Sequence, residues 1–102
     1  MEPVKSINNV NIRLPDERWR HITEEHSELA GYYYNVLETV ADPDYIFRGI
    51  EEEILAVKVI SKGKFLVVIY REFIELDDGF IITAFFTKRK KNLERRELIW
   101  KK

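Results

Sequence analysis

Cysteine is absent from this chain of 102 residues. Disulfide frameworks, thiolate zinc sites, iron–sulfur clusters and cysteine nucleophiles are therefore excluded. No apolar run approaches the roughly 20 residues of a membrane span, and the N-terminus has no apolar core like that of a signal peptide. We therefore expect one cytoplasmic domain over residues 1–102, with a flexible N-terminus at 1–9 and no membrane partner.

Other chemical motifs are also missing. The four glycines are scattered singly, so no glycine-rich phosphate loop is present, and no serine lies in a Gly-x-Ser-x-Gly elbow. The two histidines, His21 and His26, are five residues apart, about 140° around a helix. They lack the i, i+4 spacing of a zinc-binding pair. We predict no metal site and no cofactor.

The charge is unevenly distributed, although the net charge of the whole chain is −1. Residues 88–102 carry eight basic and two acidic side chains, a net charge of +6, which leaves −7 for residues 1–87. This basic C-terminal segment is interpreted either as a phosphate-binding strip or as a solvated tail. It also contains enough apolar residues to form one more helix or an added strand.

The first half of the chain has helical periodicity. A short strand is predicted over 10–14, and Pro15 followed by two acidic residues is typical of a helix start. Trp19, Ile22, His26 and Leu29 form one apolar stripe of this helix. A second helix is predicted from about Tyr32 to Ala41, and it ends before Pro43.

After Pro43 the apolar period changes from 3.6 to 2. Four strands are predicted, at 45–48, 54–60, 65–74 and 80–87. The Asp77-Asp78-Gly79 sequence favours a tight hairpin between the last two strands. The predicted fold class is α+β, with two N-terminal helices packed on a four-stranded antiparallel meander sheet and a basic C-terminal segment.

Alternation along the last two strands predicts two largely apolar faces. With a two-residue turn, one face carries Tyr70, Glu72, Thr83, Phe85 and Thr87, and the other carries Arg71, Phe73, Ile82, Ala84 and Phe86. Two short helices cover only one face. The second face then needs the C-terminal segment around Trp100, a partner chain or a concave ligand surface.

Three side chains are candidates for chemistry. His26 is either a general acid/base or a partly buried histidine bonded to backbone. His21 is a second candidate or a surface histidine paired with Glu25. The Thr83 hydroxyl lies in an otherwise apolar strand, where ordinary strand propensity is the alternative explanation.

A family resemblance emerges from several short motifs in order. The segment from Ile12 to Ile22, the Glu25-His26-Ser27-Glu28-Leu29 stretch, Ala41-Asp42-Pro43-Asp44 and Ile81-Ile82-Thr83-Ala84-Phe85 carry it. Together they resemble small phage-encoded and toxin-like nucleases of the barnase/EndoU/colicin/RelE-like (BECR) fold. The resemblance covers nearly all of residues 10–90.

The resemblance implies metal-independent cleavage of RNA. A base activates the ribose 2′-hydroxyl, an acid protonates the leaving 5′-oxygen and cations stabilise the phosphate. His21 and His26 match the family's two histidine positions and Thr83 its strand hydroxyl. Glu25 departs from the pattern, because the family usually has arginine before the second histidine. The expected phosphate-binding cations are Arg71, Lys88, Arg89, Lys90 and Lys91.

The leading hypothesis is therefore a toxin-type or phage-type ribonuclease. The alternative is a non-catalytic module that binds RNA or an acidic protein through its basic C-terminal strip. A weaker alternative is a chain whose exposed sheet face forms a homodimer or binds an antitoxin-like protein.

Overall fold

The change of period at Pro43 marks a real boundary between helices and sheet. The computed structural model describes residues 3–102. Within that range the helices are α1 (Asp16–Glu25), α2 (Tyr33–Ala41) and α3 (Lys90–Glu94). The strands are β1 (Val4–Lys5), β2 (Asn11–Ile12), β3 (Tyr45–Arg48), β4 (Ile54–Ser61), β5 (Lys64–Phe73), β6 (Asp78–Thr87) and β7 (Leu98–Lys101). Short 3-10 turns cover Ser27–Leu29 and Ile74–Leu76.

Helix α1 begins directly after Pro15, whose fixed φ of −62° leads into the first turn. Asp16 and Glu17 lie in that turn, where carboxylates interact favourably with the positive end of the helix dipole. The helix ends at Glu25, because His26 has left the helical conformation with φ −129° and ψ 72°. Only Ile22 of α1 is buried.

The main sheet confirms the α+β class and the antiparallel meander. Its strand order is β6-β5-β4-β3-β7, and every neighbouring pair is antiparallel. The sheet has five strands rather than the four predicted, because the basic C-terminal segment returns as β7 beside β3. That segment also forms α3, so it supplies both the helix and the strand that were considered for it.

The N-terminal segment takes part in the fold. Val4 and Lys5 pair with Ile12 and Asn11 in a separate two-stranded sheet. Ser6 is buried, and its hydroxyl donates a hydrogen bond to the carboxylate of Glu72 on β5. The segment 3–9, within the terminus expected to be flexible, thus contacts the domain through β1, Ser6 and Asn8. Residues 1 and 2 lie outside the described part of the chain.

The hairpin between β5 and β6 is longer than predicted. Phe73 pairs with Asp78, so the loop comprises residues 74–77, and Asp77 adopts the left-handed conformation with φ 48°. Gly79 lies inside β6 instead of in the turn. A Cβ at this position would collide with the backbone carbonyl of Arg71, so the glycine permits this close strand contact.

A β-bulge changes the faces of β6. Tyr70 pairs with Ile81, whereas the preceding residue Ile69 pairs with Thr83, which leaves Ile82 as the additional residue. Compared with strict alternation along β6, the additional residue places every later side chain on the other face of the sheet. The predicted grouping of Thr83, Phe85 and Thr87 with Tyr70 is therefore wrong. These three residues share a face with their partners, which are Ile69, Val67 and Phe65.

Each face of the sheet has its own apolar core. The first core contains Ile22 of α1, Val36 and Val40 of α2, and Tyr70 and Ala84 of the sheet. The second core lies on the opposite face, where buried Leu93 of α3 packs among the residues Phe47, Leu55, Val57, Phe65 and Val67. The C-terminal segment thus covers the second face, through Leu93 rather than through Trp100.

No helix within residues 3–102 combines the length and apolar character needed to cross a lipid bilayer.

Candidate active site

Helix α1 lies along the outer edge of β6, and an open cleft of about 470 Å³ separates them. The edge is free at this point because β6 is the terminal strand of the sheet. On the N-terminal side of the cleft, Arg13 continues the sheet: the Arg13 N–H donates to the Gly79 carbonyl, and the Ile81 N–H donates to the Arg13 carbonyl. The cleft begins beyond that short bridge. Its lining residues are Arg18, His21, Ile22, Glu25, His26, Ile82, Thr83 and Phe85.

The helical side of the cleft follows from simple periodicity. Arg18, His21, Ile22 and Glu25 have the spacing i, i+3, i+4 and i+7, which places them on one face of α1. Ile22 is only 2% exposed and anchors this face against the core. The three polar residues are exposed and line the cleft. The sequence contained this signal, since the same spacing identifies Arg18 as a neighbour of His21.

Both histidines line this cleft, although uninterrupted helical geometry places them on different faces. The reason is the end of α1 at Glu25. His26 follows in an extended conformation, so the angular spacing of a continuous helix no longer applies to it. The separation of about 140° given for a continuous helix therefore does not hold the two histidines apart in the folded chain.

His26 lies against β6. Its side chain is 33% exposed, and its ring centroid is 6.1 Å from that of Phe85. Its Nδ1 is 3.7 Å from the Glu28 carboxylate, longer than a hydrogen bond. The alternative of a partly buried structural histidine requires a hydrogen bond from the ring to backbone. Among residues 3–102 neither ring nitrogen of His26 makes one. Within the described chain the imidazole nitrogens are thus free to hydrogen-bond a molecule in the cleft.

His21 is exposed and lies one helical turn before Glu25. The predicted ion pair between His21 and Glu25 does not form among the described side chains. The histidine that lies near a carboxylate is His26, beside Glu28. His21 and Glu25 instead both line the cleft. A carboxylate therefore lies beside the two histidines, where it opposes the approach of a phosphate.

Thr83 supplies a hydroxyl to the sheet side of the cleft. It is half-buried and follows the bulge at Ile82, which sets the face on which it lies. Within the described chain its hydroxyl has no hydrogen-bond partner. A hydroxyl both donates and accepts, so Thr83 is free to bind a phosphate oxygen.

The predicted phosphate-binding cations do not line this cleft. Arg71 Nη2 is 3.2 Å from the Glu52 carboxylate, and its guanidinium lies over the ring of Phe73. Lys90 lies over the ring of Tyr45, on the face covered by α3. The remaining predicted cations are exposed residues after the end of β6, and they are Lys88, Arg89 and Lys91. The guanidinium that does line the cleft belongs to Arg18.

The side chains of the cleft can therefore move protons and bind an anion. No group of three or more histidine, aspartate or glutamate residues within 3–102 is placed to hold a metal ion. Arg18 and Glu25 bring opposite charges to the cleft. The groups that the site offers for chemistry are two imidazoles, one guanidinium and one hydroxyl.

Comparison with known proteins adds little to this geometry. The sequence matches no family model, and no solved structure matches it. A curated argininosuccinate lyase from Geobacillus sp. (strain WCH70) is 29% identical over 84 residues. The match covers 78% of this chain but 18% of the lyase, so the chain spans about a fifth of the length of that relative. This similarity identifies no family for the chain.

Proposed function

We propose that the chain is a metal-independent ribonuclease of the toxin or phage type. The observation that supports this proposal is the presence of His21, His26, Thr83 and Arg18 in one open cleft at a sheet edge. These residues are separated by up to 65 positions in the sequence, and the fold brings them to one place. The resemblance of the sequence to BECR-type nucleases points to the same chemistry.

The reaction is an internal transfer at phosphorus. One neutral histidine accepts the proton of the ribose 2′-hydroxyl, and the 2′-oxygen attacks phosphorus. The bond from phosphorus to the 5′-oxygen breaks, and the other histidine, protonated, donates its proton to that oxygen. The products are a 2′,3′-cyclic phosphate and a free 5′-hydroxyl. His26 is the preferred acid/base because it packs against Phe85 of β6, two residues along the strand from Thr83.

Charge stabilisation comes from Arg18 and Thr83. The phosphate gains negative charge on its non-bridging oxygens as the fifth bond forms. A guanidinium offers a fork of N–H donors to such oxygens, and the Thr83 hydroxyl offers one more. In this proposal Arg18 takes the part that the sequence analysis gave to Arg71 and to the four cations at 88–91.

A nuclease of this type acts in the cytoplasm on cellular RNA, and we include that location in the proposal. A neutralising antitoxin-like protein is the corresponding partner. Both follow from the resemblance of the sequence to toxin-like nucleases.

Cleavage of RNA by the purified protein in EDTA tests the proposal. We expect the wild-type chain to cut a single-stranded RNA and to leave 2′,3′-cyclic phosphate ends. His26→Ala should lower the rate about 10²- to 10⁴-fold, the usual contribution of a general acid or base. Glu24→Ala is the matched control, since Glu24 lies on α1 outside the cleft. Absence of wild-type cleavage contradicts the enzymatic proposal, and undiminished cleavage by His26→Ala removes His26 from the mechanism.

Glu25 favours a second candidate function, a catalytically inactive relative that binds RNA or an acidic protein. Its carboxylate lines the cleft where the resemblance predicts arginine. In that case RNA binding remains salt-dependent while cleavage is absent. A salt titration of RNA binding beside the cleavage assay distinguishes the two functions. Sedimentation of the purified chain tests the homodimer, which a clean monomer contradicts.

A further inference from the structure

A second groove lies on the sheet face opposite α2, between α3 and the strands β3 and β7. It measures about 290 Å³, and its lining residues are Tyr45, Phe47, Lys90, Glu94, Arg96, Leu98 and Lys101. The β3 and β7 strands lie at the other end of the sheet from β6, so this groove is separate from the cleft that contains the histidines. It contains no histidine and no hydroxyl other than that of Tyr45.

Two aromatic rings form the floor of the groove. Tyr45 and Phe47 are two residues apart and lie on the same face of β3, with ring centroids 6.1 Å apart and planes inclined by 30°. Phe47 is 4% exposed and joins the core below. Tyr45 is half-buried, so part of its ring faces the groove. A fixed, partly exposed ring is a surface on which a nucleobase can stack.

Three cations surround these rings. Lys90 Nζ is 5.4 Å from the centre of the Tyr45 ring. Lys101 is the cross-strand partner of Tyr45, and Arg96 precedes β7. None of the three takes part in an ion pair within residues 3–102, whereas the neighbouring cations Arg48 and Lys102 are paired with Glu97 and Asp42. Glu94 is the one carboxylate among the lining residues, so positive charge predominates.

We infer that this groove binds single-stranded RNA: the flexible Lys90 side chain leaves the Tyr45 ring, a base stacks in its place, and Lys90, Arg96 and Lys101 bind phosphates. Stacking surfaces combined with cations along a groove are how proteins hold single strands without reading their sequence. The aspartate and glutamate side chains of an acidic peptide would use the cations but offer no flat ring to place on Tyr45. The inference deepens the proposed function, on which the choice of RNA rests, by giving the substrate a second point of attachment.

Fluorescence anisotropy with a short labelled 2′-O-methyl RNA oligonucleotide tests the groove, because this RNA lacks the 2′-hydroxyl needed for cleavage. We expect Tyr45→Leu to weaken binding about tenfold or more, as for loss of one stacked base. Tyr34→Leu is the matched control, since Tyr34 is 78% exposed on α2, away from the groove. Equal binding by the Tyr45→Leu variant and the wild type contradicts the inference.

Substitution of the charged residues gives a second, independent test, the salt dependence of RNA binding, without altering the apolar core. Each phosphate contact with a single strand contributes about −0.7 to the slope of log K against log salt. The double variant Arg96→Ala/Lys101→Ala should therefore reduce the size of the slope by about 1.4. Lys5→Ala/Lys62→Ala, at two exposed positions on other parts of the surface, should leave it unchanged. An unchanged slope in the groove variant overturns the inference.

Competition with polyglutamate distinguishes RNA from an acidic protein. We expect polyglutamate at equal charge concentration to displace the oligonucleotide poorly. Equal competition together with insensitivity to Tyr45→Leu would instead identify an acidic-peptide site and overturn the inference. These binding assays are independent of catalysis, so an inactive protein that binds the oligonucleotide through the groove contradicts the proposed function alone.

Discussion

The imidazole of His26 lies against the ring of Phe85, with centroids 6.1 Å apart and planes inclined by 37°. This contact joins the end of α1 to the edge strand β6, since His26 is the first residue after the helix. Phe85 forms an apolar wall on one side of the imidazole, and Glu28 lies 3.7 Å from Nδ1. Phe85 is thus a positioning residue for the histidine that we place in the reaction.

Phe85→Leu should lower kcat for RNA cleavage more than it raises KM. The variant keeps an apolar side chain but loses the flat surface that orients the imidazole, and misplacement of a catalytic group by about 1 Å costs up to about 100-fold. Steady-state kinetics measure the separate effects. Phe80→Leu on the same strand is the control, and equal losses in both variants would show a general effect on β6.

Arg18→Ala should reduce kcat/KM by about 10²- to 10³-fold, the usual effect of removing one donor to a developing oxyanion. Arg20→Ala should have little effect, because Arg20 is an exposed neighbour that does not line the cleft. Cleavage kinetics at constant ionic strength compare the two. A similar loss in both variants would indicate a nonspecific effect of net charge and contradict the role of Arg18.

Glu25→Gln should strengthen binding of a non-cleavable RNA. The substitution removes one negative charge from an exposed position beside the two histidines, and exposed charge interactions of this kind alter affinity by up to about fivefold. The effect should diminish as salt is added. Anisotropy titrations measure it, with Glu24→Gln as the control for a change in net charge. Weaker binding by the Glu25→Gln variant would show that the carboxylate does not face the bound phosphate.

Asp78→Asn should make the stability of the fold less dependent on pH in the acid range. Hydrogen bonds from the Arg13 guanidinium, with its positive charge, hold the pKa of the Asp78 carboxyl below its ordinary value. A lowered pKa stabilises the fold above the unfolded-state value near 3.9, and this contribution is lost as pH falls through the folded-state pKa. The difference in Tm between wild type and variant should therefore be largest near neutral pH and disappear in acid.

Thermal unfolding between pH 2 and pH 7 measures that difference. Both partners are exposed, so salt should reduce it. Glu75→Gln is the control, since Glu75 is exposed in the same hairpin and takes no part in an ion pair of the described chain. A constant Tm difference across the pH range would show that the Arg13–Asp78 pair does not carry it.

Tyr70→Phe should leave stability unchanged or raise it. The Tyr70 hydroxyl is buried and has no hydrogen-bond partner among the described residues, and burial raises the pKa of this phenol. An unsatisfied buried hydroxyl costs about 1–3 kcal/mol, so its removal should increase the free energy of unfolding by up to that amount. Denaturant unfolding measures the change beside the control Tyr34→Phe. A clear loss of stability would reveal a partner for the hydroxyl.

Local patterns predicted the elements of the fold well. Pro43 and the switch to alternating residues predicted the end of α2 and the start of β3, because proline restricts the residue before it. Strands β4 and β5 agree with the predictions to within about one residue. These features depend on neighbouring residues, which a sequence pattern records directly.

Tertiary features were predicted less well. The bulge at Ile82 depends on how β6 pairs with β5, and no residue type in that segment demands it. The direction of Lys90 depends on how Leu93 docks α3 onto the sheet. Arg18 is different, since its spacing from His21 already placed it beside the candidate site. The predictions named the two histidines and Thr83 as candidates but overlooked Arg18, the cation that accompanies them.

The bulge at Ile82 also affects which gains and losses of residues this domain can tolerate during evolution. Loops tolerate gain or loss of residues, because their length rarely alters the sheet. The bulge gives the same tolerance inside a strand: without Ile82 the threonine would directly follow Ile81 and would still pair with Ile69. The additional residue is thus absorbed between Gly79 and Thr83, and the candidate site keeps its place with or without it. Relatives that preserve the threonine but lack the additional residue should therefore keep it in the cleft.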